Sequence, residues 1–220
     1  MKNIVVIGAS GYAKVLADII EKRAEFSIIG LIDSYKPIGY ELIGHSVLGT
    51  EHDLPALVGT YALVGGVLAI GDNWDRYRMV SSILGLVPDF TFPTLVHPSA
   101  CLAGDVEIGQ GTVITAGAVV NSASRVGQFC IINTRASLDH DNTIGDFASL
   151  APGVTTGGNV TIGEFTAVSL GASLIHGITV GPHAVIGAGA VVVDDIPGFS
   201  VAWGTPAKVV RDRGEGERYL

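Results

Sequence analysis

Hydrophobic and polar positions along this chain follow two rhythms. From Val96, every sixth residue through Leu102, Ile108, Ile114, Val120 and onward to Val192 is aliphatic at sixteen of seventeen positions, with Thr156 the exception. Four residues after most of these stands something small or medium, as at Thr112, Ala118, Ser124, Cys130, Ala136 and Ala148. A period of eighteen lies over the period of six. Glycine follows the aliphatic at Gly109, Gly127, Gly145, Gly163 and Gly181, and a ring recurs at Phe129, Phe147, Phe165 and His183. Three hexads make one triangular coil, so each hexad predicts a short strand and a corner, with the aliphatic on the axis. Rings eighteen residues apart then stack at the strand spacing of about 4.8 Å, and sixteen hexads build a prism about 25 Å tall. A β-sandwich does not hold such a frame, because its strands vary in length and lose phase at their loops.

Residues 1–95 read differently. Ile4–Ile7 is a short apolar strand, followed by GASG and a helical pattern through Val15, Leu16, Ile19 and Ile20. Ser27–Ile32 predicts a second strand ending at Asp33. Val67–Ile70 predicts a third, then GDN and a helix over about 74–84. A last strand is expected around Phe90–Leu95. Strand, glycine turn, helix, strand is the grammar of a parallel α/β unit. The expected division is therefore a Rossmann-like α/β domain over 1–95 and an all-β parallel β-helix over 96–220.

Composition agrees with the split. Residues 1–95 hold seven Lys or Arg and ten Asp or Glu, whereas 96–192 hold two basic residues, Arg125 and Arg135, and six acidic ones. So few long charged side chains exclude a stretch of solvent-covered helices. The net charge of -8 argues against a nucleic-acid or anionic-membrane partner. Cys101 and Cys130 are too few for a disulfide framework or a four-ligand zinc site. No apolar run reaches the roughly 18 residues of a membrane span, and MKNIVVIGASG lacks the apolar core of a signal peptide, so a cytoplasmic location is expected.

Two regions carry candidate chemistry. Gly8, Ser10 and Gly11 sit where a strand enters a helix, and short side chains there let backbone N–H groups approach a phosphate. Gly8-x-x-Gly11 falls short of the dinucleotide fingerprint GxGxxG, which disfavours a redox cofactor. Asp33 ends the next strand, and Asp72, Asn73 and Arg76 follow the third. Arg76 has the charge to pair with a phosphate, unless the segment is simply a capped helix start. The second region is LDHDN, where His140 stands between Asp139 and Asp141 in a stretch almost free of charge. A carboxylate beside an imidazole raises its basicity and fixes its tautomer, as a general base requires. His140 and His176 fall second after the aliphatic and His183 third, so the three do not converge on one metal ion, and none is expected.

The frame [LIV]-G-x-x-[STA]-x resembles the hexapeptide-repeat acyltransferases, whose coils form a left-handed parallel β-helix. GASGYAKV, VLAIGDNWDR, HPSA, INTRASLDHDNTIGDF and WGTPAKVV together resemble the bacterial sugar acetyltransferases with an N-terminal nucleotide-sugar domain. That group includes N-acetyltransferases of nucleotide-linked 4-amino-4,6-dideoxy sugars and sialic acid O-acetyltransferases; IDSYKPIGYELIGHSVLG is similar to the latter. The resemblance implies acetyl-CoA as co-substrate, a nucleotide sugar as acceptor, and a homotrimer. It implies His140 as base, Asp141 as its orienting carboxylate, and Asn133 near the acceptor sugar. Gly158 would face the thioester carbonyl with its N–H, and Pro206, Ala207 and Lys208 would lie along coenzyme A. Gly8, Ser10, Asp33 and the segment of Asp72 and Asn73 match the nucleotide-sugar site, with Tyr12 where several relatives have histidine. N-acetylation of a 4-amino sugar is expected first, O-acetylation of a sialic-acid-type sugar second, and a non-catalytic nucleotide-sugar-binding trimer third.

Overall fold

The computed structural model describes residues 1–219, and the chain divides into two compact units, Met1–Pro98 and Ser99–Leu220. In the first, β1 (Lys2–Ile7) places Ile4, Val5, Val6 and Ile7 wholly out of water. The helix α1 (Gly11–Arg23) begins at Ser10, whose Oγ accepts the Tyr12 N–H at 3.3 Å, satisfying one orphan donor of the first turn. Ala13, Leu16, Ala17, Ile19 and Ile20 form its buried stripe, and Lys22 and Arg23 face the negative end of the helix dipole. Ala24, at φ 54°, ends it in a left-handed turn.

The chain returns through β2 (Phe26–Ile32), then β3 (Glu41–Leu42), β4 (His45–Gly49), α2 (Leu54–Tyr61), β5 (Gly65–Leu68) and α3 (Asn73–Leu86). The sheet order is β3-β4-β2-β1-β5. All pairings are parallel except the β3–β4 hairpin. The hairpin and α2 are elements that hydrophobic periodicity did not predict. The strand expected over Phe90–Leu95 shrinks to Leu95–Val96. Pro93 interrupts that run and lacks the N–H a ladder needs. Phe90 and Phe92 instead bury their rings edge to face, 5.2 Å apart.

The second unit keeps the six-residue frame. Sixteen two-residue strands run from Cys101–Leu102 to Val191–Val192, and the second residue of each is the predicted axial position, aliphatic in all but Thr155–Thr156. Pairing is parallel with eighteen-residue steps, as in Val119↔Ser137 and Ser137↔Thr155, so each coil hydrogen-bonds to the next on three faces. From Ile114 to Val192 every axial residue is buried. Full burial of one such side chain contributes roughly 1.5–3 kcal/mol. Phe129, Phe147, Phe165 and His183 stack as expected, with centroids 5.0, 5.2 and 4.7 Å apart, and Phe199 extends the column by another 4.7 Å. A hairpin of Ser200–Gly204 and Ala207–Asp212 closes the solenoid, its first strand pairing with Val185–Ile186.

Candidate active site

In the first unit the strand ends around Gly8 and Asp72 gather most of the residues expected to hold a nucleotide sugar. A Cβ on Gly8, at φ 105°, would stand 2.9 Å from the Ala69 carbonyl oxygen, so only glycine lets β1 turn into α1 this close to the end of β5. Ser10 Oγ donates to that same carbonyl at 3.2 Å. Gly11 opens onto space. Asp33 binds the loops together: Oδ2 accepts the Ala9 N–H at 2.7 Å, and Oδ1 accepts the N–H groups of Tyr35 and Lys36 at 2.8 and 2.9 Å. Such a carboxylate keeps spare lone-pair capacity for a ligand hydroxyl.

Asp72 caps α3, with Oδ1 accepting from Trp74 and Asp75 at 3.0 Å. Asn73 Oδ1 accepts from Arg76 Nη2 at 2.8 Å. Arg76 does not point outward to a phosphate. Its guanidinium is buried and donates to the carbonyls of Ile70 and Gly71 at 3.0 Å, bracing the turn after β5. Two buried polar atoms here have no partner among the described residues, the Tyr12 hydroxyl and Asp72 Oδ2. Burial pushes the Tyr12 phenol well above its ordinary value, with the Arg76 charge opposing. Leaving a buried polar atom unpaired costs about 1–3 kcal/mol, which an incoming hydrogen-bonding ligand recovers.

In the solenoid, Asp139–Asn142 forms one corner. Asp141 takes the left-handed position at φ 59°, which aspartate tolerates better than most residues. From there its Oδ2 lies 2.7 Å from His140 Nδ1. That hydrogen bond, followed by the charge of Asp139, raises the His140 pKa above the ordinary imidazole value. The ring is largely exposed on the single chain, with 61% of its side-chain surface accessible.

One coil on, Gly158 lies against that ring. A Cβ at 158 would stand 2.5 Å from His140 Cε1 and 2.7 Å from Nε2, so the flat contact depends on glycine. The Asn159 N–H donates to the His140 carbonyl at 2.9 Å, locking the two corners in register. The Gly158 N–H donates to no backbone carbonyl among the described residues. His176 occupies the same corner position a further coil on, whereas His183 belongs to the aromatic column.

The remaining predicted residues lie apart. Asn133 belongs to the preceding corner, where its Oδ1 accepts the Thr134 N–H at 2.8 Å. Pro206 and Ala207 form the closing hairpin, and Lys208 Nζ pairs with Asp194 Oδ2 at 3.3 Å on the surface. The ladder puts that hairpin three to four strand spacings beyond the His140 corner, roughly 14–19 Å along the axis. One chain therefore does not set Lys208 beside His140. Asn142 and Thr156, hydrogen-bonded to each other behind the His140 corner, are not among the predicted residues; Thr156 signals itself only by breaking the axial rule.

The family described as PglD N-terminal domain matches residues 3–83. The perosamine N-acetyltransferase PerB of Caulobacter crescentus, solved with CoA and GDP-perosamine, is 32% identical, with 96% of this chain and 98% of that one covered and a TM-score of 0.89. This chain belongs to the hexapeptide-repeat sugar N-acetyltransferases. Its solenoid is accordingly the left-handed parallel β-helix of that family. The acetyltransferase domain of PglB from Neisseria gonorrhoeae FA1090, solved with acetyl coenzyme A, is also 32% identical, covering 95% of this chain and 99% of that one at a TM-score of 0.84. The curated UDP-N-acetylbacillosamine N-acetyltransferase of Bacillus subtilis (strain 168) is 36% identical over 116 residues. That match takes in 53% of this chain and spans about half, 52%, of the curated relative's length. PerB has also been solved with one histidine replaced by asparagine or by alanine, both with CoA and GDP-perosamine bound.

Proposed function

We propose that this enzyme transfers the acetyl group of acetyl-CoA to the 4-amino group of a nucleotide-linked 4-amino-4,6-dideoxy sugar, for bacterial surface-glycan synthesis. The contact of His140, Asp141 and Gly158 carries the reading. The amine attacks the thioester carbonyl, and His140 takes its proton as the tetrahedral intermediate forms; collapse of that intermediate breaks the C–S bond, and coenzyme A leaves as the thiol, taking the proton back from the imidazolium. Asp141 holds the imidazole through Nδ1, so Nε2 is the basic nitrogen, and it steadies the imidazolium that results. The Gly158 N–H stabilises the oxyanion, a role for which a backbone donor that no backbone carbonyl takes up is suited. The enzyme's family and the substrates named for PerB and the Bacillus protein favour an amine over a sialic-acid hydroxyl as acceptor.

The nucleotide sugar is held in the first unit around Gly8, Ser10, Gly11, Tyr12, Asp33, Asp72 and Asn73, where the unpaired Tyr12 and Asp72 atoms supply hydrogen-bonding capacity. Asn133 contacts the sugar. Gly158, Pro206, Ala207 and Lys208 contact coenzyme A. The enzyme acts as a cytoplasmic homotrimer, with coenzyme A lying between neighbouring subunits. The exposed base, the distance of the hairpin from it, and the exposed Leu170 and Ile175 support that assembly. Light scattering should report about three times the 22.7 kDa chain mass, and a stable monomer would overturn it.

Thiol release from acetyl-CoA across UDP-, GDP- and dTDP-linked 4-amino sugars and sialic acids tests the reaction. One amino sugar should turn over. His140→Asn should lower kcat by roughly 10²–10⁴-fold while the trimer and acetyl-CoA binding persist, and Asp141→Asn should cost less, because the ring remains. Near-full kcat in His140→Asn would reject the assignment.

A further inference from the structure

Two residues of the solenoid break its rules, and they meet. Thr156 is the polar residue on the aliphatic axis, and Asn142 is an amide where the frame otherwise sets small or aliphatic side chains. Asn142 is completely buried. Its Nδ2 lies 3.1 Å from Thr156 Oγ1, 3.1 Å from the Gly157 carbonyl oxygen and 2.5 Å from the Asp139 carbonyl oxygen. Its Oδ1 accepts the Val160 N–H at 2.9 Å.

Part of this is a device used elsewhere in the solenoid. Ser124 Oγ donates to the Asp139 carbonyl and accepts the Asn142 N–H, and Thr166 Oγ1 does the same with Gly181 and Ala184. A short hydroxyl thus suffices to clip one coil to the next. The extra reach of asparagine adds two acceptors, Thr156 Oγ1 and, back across its own corner, the Asp139 carbonyl, which share the two Nδ2 hydrogens with the Gly157 carbonyl. The Asp139 bond closes from inside the turn Asp139–Asn142, which presents His140 and Asp141. The Gly157 and Val160 bonds hold the neighbouring corner, which presents Gly158.

We propose that the buried Asn142–Thr156 pair is a positioning device that fixes the base at His140 relative to the Gly158 N–H. It rests on the reading of His140 as the base. Small displacements of a reacting group are costly, about 100-fold for an ångström, whereas stability alone asks for no more than the hydroxyl clip.

Asn142→Thr keeps that clip and drops the added bonds. It should fold, lower kcat about 10- to 100-fold, and leave KM for both substrates within roughly twofold. NMR titration of the His140 ring should show its pKa falling toward the ordinary value of about 6.5 as Asp141 loses its fixed geometry. Thr156→Val restores the aliphatic axis; it should retain or gain thermal stability yet move kcat and the titration the same way, less strongly. The double variant should be no worse than Asn142→Thr, since the two act as a unit. Thr166→Ala removes the same kind of clip at the aromatic corner, and it should lower stability without touching kcat.

Wild-type kcat and His140 titration in both Asn142→Thr and Thr156→Val would overturn the proposal, as would equal kinetic loss in Thr166→Ala. If Asn142→Thr does not fold, Thr156→Val decides alone. Should the wild type acetylate none of the amino sugars or sialic acids, the reading of the reaction fails, while the His140 titration still tests the clamp.

Discussion

At the corner carrying Phe129, Phe147, Phe165, His183 and Phe199, and at the corner carrying Ala123, Asp141 and Asn159, the backbone makes the same left-handed turn, with φ between 53° and 59°. Holding an L-residue there costs roughly 1–2 kcal/mol. In the first column the cost is offset by burial and by ring stacking, worth about 0.5–1.5 kcal/mol for each aromatic pair. In the second no ring stacks among the described residues, and Asp141 spends the same backbone on aiming a carboxylate at an exposed imidazole. One turn geometry thus serves as a structural pillar on one edge of the prism and as a mount for a base on another. The side chains, not the backbone, decide which.

That comparison can be broken most sharply at Gly158. In Gly158→Ala the new methyl would strike the His140 ring, which must swing aside because it is the movable partner. Turnover should fall on the order of 100-fold with the melting transition little changed, measured by steady-state kinetics beside circular dichroism. Unchanged kcat would show that the ring's seat against Gly158 is irrelevant. The pillar should respond in the opposite sense. Phe147→Ala removes the ring between Phe129 and Phe165 and should cost about 3–5 kcal/mol in denaturant unfolding, while kcat of the folded fraction is retained.

The smallest effect is on pH, and there the two corners carry opposite signs. His140 has a raised pKa from its Asp141 hydrogen bond and must be neutral to accept a proton. The acid limb of kcat/KM should therefore lie above about 6.5. His183 has a lowered pKa because burial disfavours its charge, with Glu164 and Glu215 opposing and Arg213 assisting. Its contribution to stability is present above the unfolded value of about 6.5 and is lost as pH falls through the lower folded value. On acidification, activity should decline before the fold does. Coincident loss in rate and melting profiles would collapse the distinction.

The solenoid was legible because its period is also its contact map: residues eighteen apart in sequence are neighbours in space. Nothing comparable announces the hairpin at Glu41–Gly49. Its two-residue turn is Ile43 and Gly44, both at positive φ, and an isoleucine in that position hides the usual turn signature inside an apolar-looking run. The helix at Leu54–Tyr61 is short and holds Gly59, so its pattern is weak, although Thr50 and Asp53 form a reciprocal cap just before it. At the site, His140 and Asp141 stood out because charge is scarce around them, and Gly158 entered only through family resemblance. Arg76 misled, since sequence shows a charge but not that the carbonyls of Ile70 and Gly71 turn it inward. Thr156 was visible as an exception, yet its partner lies fourteen residues back, a separation that matches neither the hexad nor the coil.

The closing hairpin and the His140 corner are joined by a ladder whose rungs are all alike. The length between them is therefore quantised: a duplication of one eighteen-residue coil above Gly158 would carry Lys208 away by one rung, about 4.8 Å, and alter no residue at either end. Coil number is in this sense an inherited unit of reach. Lineages of this architecture can change the span between two groups of contacts in whole steps, without redesigning the contacts themselves.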